Sequence, residues 1–128
     1  MTRWLDLAIA ALFGWAALLQ LNDPDPLRWF AIYAAGALVA TGAGFPAARR
    51  RGSGVLALAA AGVALSCWIG AAVLWNSLQG MPFPDLGAPM TANHPEIEQA
   101  RELIGLLIVG FWSAFVLWRV RRSAELGG

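Results

Sequence analysis

The chain contains no lysine: its nine basic residues are all arginine, set against eight acids, and charged residues make up only 13% of 128 positions. So sparse a charge complement argues against a soluble globule. A single cysteine, Cys67, excludes an intramolecular disulfide, and in the apolar context LSCWIG it reads as a packing residue rather than a nucleophile. A single histidine, His94, offers haem at most one axial ligand. Period-two alternation is missing as well. The run LALAAAGVALSCWIGAAVLW has no polar residue at every second position, which excludes the strands of a membrane barrel.

What is present is apolar. Hydrophobic residues reach 59% and the mean hydropathy is +0.59, values of an integral membrane protein. Spanning a hydrocarbon layer of roughly 30 Å takes about 20 mostly apolar helical residues. Four runs qualify: Leu7 to Leu21, Trp29 to Phe45, Val55 to Leu78 and Leu103 to Trp118. The first and last are short, a mismatch that bilayer thinning or flanking residues absorb. Trp4 and Trp118 mark one interface, Trp29 and Trp75 the other. The expectation is one all-α membrane domain over residues 1–128, a four-transmembrane-helix bundle. Its helices cover about 4–21, 27–45, 54–78 and 96–119, with outer loops at 22–26 and 79–95 and an inner loop at 46–53.

Orientation follows from arginine. Arg3, Arg49, Arg50, Arg51, Arg119, Arg121 and Arg122 fall on the side shared by both ends and the middle loop, Arg28 and Arg101 on the other. Positive residues stay in the cytoplasm, so both termini are expected inside a bacterial inner (plasma) membrane. Six acids, Asp23, Asp25, Asp85, Glu96, Glu98 and Glu102, then lie outside. The first run lacks a cleavage site of small residues and reads as a retained signal anchor. Because RRRG and RVRR are what topology already demands, no nucleic-acid partner is implied.

The stretch QLNDPDPLRWF is the chemically dense part of the chain. Pro24 and Pro26 hold Asp23 and Asp25 away from helical geometry. Asn22 and Asp23 suit a turn, and Asp25 suits an N-cap before Pro26 at the first helical position. That bland reading accounts for every residue singly. A pair of fixed carboxylates beside Arg28 and Trp29 exceeds what a hairpin requires, so a binding role is the sharper reading. After a proline-rich segment, EIEQARE opens the last helix, with His94 or Asn93 as its cap. Glu98 and Glu102 share a face, Arg101 lies three residues from Glu98, and Glu102 directly precedes the apolar run, where a charge is expensive unless partnered.

Asp23, Asp25, His94, Glu98 and Glu102 would suit a hard or borderline cation, although their spacing matches no closed metal motif. Met81, Met90 and His94 are a weaker copper set. Paired carboxylates also suit general acid and base work, yet no nucleophile accompanies them. No cofactor is indicated strongly, and its identity stays open.

QLNDPDPLRWFAIY after a first span, together with EQARELIGLLI opening the last, resembles the transmembrane protein 220 family, small four-helix membrane proteins. The resemblance covers nearly the whole chain. It implies topology but no activity, ligand or partner, and it marks Asn22, Asp23, Pro24, Asp25, Pro26, Trp29 and Tyr33, then Glu98, Ala100, Arg101, Glu102 and Gly105.

Between helices, Gly36, Ala40 and Gly44 in the second span and Gly62, Ser66 and Gly70 in the third form seams of small residues, and a tight pairing of those two spans is expected. Trp15, Trp68 and Trp112 lie away from the membrane ends and are expected to fill the core. No charge well inside a span and no broken helix points to a transporter. The reading is a non-enzymatic binding or accessory subunit using an acidic extracytoplasmic site, its partner the bilayer and a larger membrane complex or a homo-oligomer. The alternative is a small membrane enzyme acting on lipid or a metal-dependent substrate at the same face. Candidate binding residues are Asn22, Asp23, Asp25, Arg28, Trp29, Glu98, Arg101 and Glu102.

Overall fold

The computed structural model describes residues 2–22, 25–51, 53–80 and 95–127. These residues fold as α1 (Thr2–Leu19), continued by a 3-10 turn (Gln20–Asn22), then α2 (Pro26–Gly44), α3 (Pro46–Arg51), α4 (Ser53–Leu78) and α5 (Pro95–Gly127). Proline sets three of the helix starts. Pro26, Pro46 and Pro95 each open a helix, where the missing amide hydrogen costs nothing and the fixed φ already suits the turn. Phe45, placed before Pro46, is extended with φ −99° and ψ 116°, as the proline ring requires of its predecessor. That one residue ends α2, and α3 restarts with the Arg49 amide donating to the Phe45 carbonyl at 3.2 Å. The segment 46–53, expected as a loop, therefore carries a short helix. The last helix likewise runs beyond the expected residue 119, because RVRRSAEL contains no breaker. At the end of α4, Gly80 takes the left-handed φ of +87°, a conformation in which glycine suffers no Cβ clash.

Among the described residues three helices are long and apolar enough to cross a membrane: Thr2–Asn22, Ser53–Leu78 and Glu96–Leu126. α2, with 19 residues, is diluted by Arg28, Tyr33, Thr41 and three glycines. Many large apolar side chains point away from the protein, among them Leu12, Leu58, Val73 and Phe111. Helices apolar on the outside as well as the inside belong in lipid.

The helices pair as two hairpins, α1 along α2 and α4 along α5, joined where α2 meets both α4 and α5. One apolar cluster gathers Phe13, Trp29, Cys67, Leu74, Leu106 and Val109, and a second gathers Val39, Ala43, Leu56, Ala60, Val116 and Val120. The expected seam between the second and third spans is not the main packing surface. A Cβ on Gly36 would meet Val109 of α5 and Phe13 of α1, one on Gly44 would meet Leu7 of α1, and one on Gly70 would meet Leu106 of α5. Gly62 has nothing within 4 Å, and Ser66 is exposed. The small residues do allow close approach, chiefly to α1 and α5, while the contact of α2 with α4 runs through Gly42, whose Cβ would meet Leu56.

The tryptophans also depart from expectation. Trp15 is 64% exposed, and Trp68 stands at the surface, edge-on to Phe111 with ring centroids 4.6 Å apart. Trp112 alone of the three packs against both clusters. Conversely Trp29, expected at an interface, is only 4% exposed and belongs to the core. A lipid-facing indole loses no burial energy in a bilayer, so exposure in the bundle costs these residues little.

Candidate functional site

Two ends of the bundle carry its polar chemistry. At the first, α2 begins and α5 begins. Asn22 and Asp25 are exposed, and Arg28 lies over the indole of Trp29, its guanidinium carbon 5.2 Å from the ring centroid. Asp25 occupies the N-cap position of α2 with Pro26 behind it, as the sequence suggests. Its side chain, however, makes no capping hydrogen bond, because its backbone, at φ −123° and ψ 65°, does not take the usual capping conformation. On α5, Glu98, Arg101 and Glu102 are half-buried, and Arg101 and Glu102 both have interaction partners.

Tyr33 fastens the two helices here. Its hydroxyl is pressed against Gly105, so closely that a Cβ at that position would overlap it. Gly105 lies one turn beyond Glu102. The first turn of α2, carrying Asp25, Arg28 and Trp29, and the first turns of α5, carrying Glu98, Arg101 and Glu102, therefore occupy the same end. Asp23, Pro24, Met81, Met90, Asn93 and His94 lie outside the described residues. Among the described residues no group of three or more His, Cys, Asp or Glu is arranged to hold a metal ion.

The other end holds what sequence reasoning passed over. Asp6 of α1 is completely buried, and both its carboxylate oxygens accept from Nη2 of Arg119 on α5 at 2.9 Å. Arg119 is itself only 15% exposed. The ring centroid of Phe115 lies 5.1 Å from its guanidinium carbon, while Nε and Nη1 are buried with no hydrogen-bond partner among the described residues. The backbones of α1 and α5 barely approach each other, and an apolar groove lined by Ile9, Phe13, Ile108 and Phe111 runs between them. The ion pair is thus the polar tie across that gap. A signal for it was available: an acid within an apolar helix demands a partner, and α5 places an arginine at the matching end.

Beside Arg119 opens a cleft of about 600 Å³, walled by Arg49 and Arg50 of α3, Ser53 of α4 and Ser123 of α5. Trp4 and Trp118 are exposed, with Arg3 and Arg122 stacked over them at 5.4 and 5.3 Å.

Comparison with known proteins yields one family. The family model described as "Transmembrane family 220, helix" matches residues 12–118, from the middle of α1 to the last turns of α5. No curated protein and no solved structure matches. The matched region takes in both hairpins and both segments at the Tyr33–Gly105 contact. The chain belongs to transmembrane family 220, a family of helical integral membrane proteins whose apolar surfaces contact the bilayer.

Proposed function

We propose that the chain is a four-span membrane protein of the plasma membrane, with both termini in the cytoplasm, acting as a non-enzymatic binding or accessory subunit through its outer acidic end. At about 1.5 Å per residue α2 extends about 28 Å, close to the roughly 30 Å of a hydrocarbon core. Its polar hydroxyl at Thr41 is satisfied by the Ala37 carbonyl at 2.7 Å, which lets it sit in an apolar helix. The seven arginines of one end against two at the other support this orientation.

The observation that carries the functional reading is Asp25. Its carboxylate is exposed and makes no cap bond, so among the described residues a modest interaction with the helix dipole is the structural duty left to it. With Glu98 and Glu102 at the same end, it offers negative charge to a ligand that approaches from outside: a cation, a lipid headgroup or the basic surface of a larger membrane complex.

The test is Asp25→Asn. Wild-type chain extracted gently from its own membrane is expected to carry a stoichiometric lipid, metal or protein companion in native mass spectrometry. Asp25→Asn is expected to lose that companion, while the melting temperature of the companion-free chain stays that of the wild type. An enzyme acting at this face would instead keep its assembly and lose turnover. If Asp25→Asn changes neither companion nor stability, the acids at this end have no binding role.

A further inference from the structure

The cleft at the terminal end carries a different chemistry. Its walls bring Arg49 and Arg50 from α3 together with Arg119 from α5, and among the described residues no acid lines it. Asp6 offsets Arg119 through Nη2 alone, leaving Nε and Nη1 buried and unpartnered. Topology explains the number of arginines at this end but not this arrangement. A positive-inside residue needs only to remain in the cytoplasm, and its long side chain ordinarily snorkels into water. Arg121 and Arg122 do so, being exposed on another face. Arg119 does the opposite: its guanidinium is taken out of water, balanced in charge by Asp6 but with two nitrogens unmet among the described residues, and unmet donors are costly.

We propose that this cleft binds a phosphate group. Guanidinium groups match phosphate oxygens in geometry and charge, and the hydroxyl-bearing Ser53 and Ser123 stand on the same cleft wall. The phosphate belongs either to an anionic phospholipid headgroup at the membrane surface or to a soluble phosphate.

The experiment separates these sources. The full chain is reconstituted in phosphatidylcholine nanodiscs containing a minor fraction of phosphatidylglycerol, and retained lipids are counted by native mass spectrometry. In a parallel arm, thermal unfolding in pure phosphatidylcholine is followed with and without inorganic phosphate. Phosphatidylglycerol is expected to be enriched about tenfold over its bulk fraction, with the enrichment lost in Arg49→Gln/Arg50→Gln and kept in Arg121→Gln/Arg122→Gln, which removes equal charge from another face. Arg50→Gln alone, at an exposed position, is expected to lose about threefold and guards against a folding defect in the double variant. A rise in melting temperature with inorganic phosphate, without lipid enrichment, assigns the same cleft to a soluble phosphate. The proposal is overturned if neither anion binds, or if the Arg121→Gln/Arg122→Gln control loses as much as the cleft variant.

Discussion

Replacing Asp6 by alanine is expected to destabilise the folded chain by about 3–5 kcal/mol, the cost of leaving a buried charge without its partner. The carboxylate is fully buried and meets only one guanidinium nitrogen of Arg119, whose other two are already sealed from water without acceptors. Once Asp6 is gone, the ring of Phe115 still faces the guanidinium but offers it no carboxylate. The loss is not a measure of what the pair contributes over an apolar contact of the same shape, because desolvating both charges is itself expensive. Asp6→Leu combined with Arg119→Met is therefore expected to recover most of the stability lost by either change alone. Unfolding in mixed micelles, followed for the two single variants and the double, measures this directly. Equal losses in Asp6→Ala and in the double variant would show that the charges themselves hold α1 to α5.

Gly105→Ala is expected to cost about 1–3 kcal/mol through overpacking. The added methyl would occupy the space of the Tyr33 hydroxyl, and that contact ties α2 to α5 where α1 and α5 provide little backbone contact. Tyr33→Phe removes the colliding oxygen, so in combination with Gly105→Ala it is expected to restore part of the loss, a coupling that a double-mutant cycle reads. Gly62→Ala is the control, because a Cβ there meets nothing within 4 Å. A loss at Gly62 comparable with that at Gly105 would point to backbone or lipid effects rather than to the Tyr33 contact.

The helical class, the helix starts at Pro26 and Pro95 and the family were legible because each rests on local chemistry: apolar length, proline position, a distinctive turn. Partner choice among the helices was not. The seams at Gly36 and Gly44 and at Gly62 and Gly70 look alike in sequence, and only packing shows that Gly36 faces Val109 and Phe13 while Gly62 faces outward. Trp29 was misplaced for a similar reason, since an indole near a helix end suits an interface and a core equally well, and here the second hairpin covers it. The Asp6–Arg119 pair spans 113 residues, beyond any local pattern. Arg49, Arg50 and Arg119 read in sequence as topology signals alone, because only the fold brings these three to one cleft.

Both the outer acidic reading and the arginine cleft depend on α2 carrying the chain across the membrane between them. Thiol accessibility tests that most directly. In a Cys67→Ala background, cysteines placed at the exposed positions Leu27, Ala47 and Leu126 are treated in intact cells with a membrane-impermeant maleimide. Labelling at 27 without permeabilisation, and at 47 and 126 only after it, is the predicted result; labelling of 27 and 47 from the same side would contradict it, leaving α2 outside the set of spans.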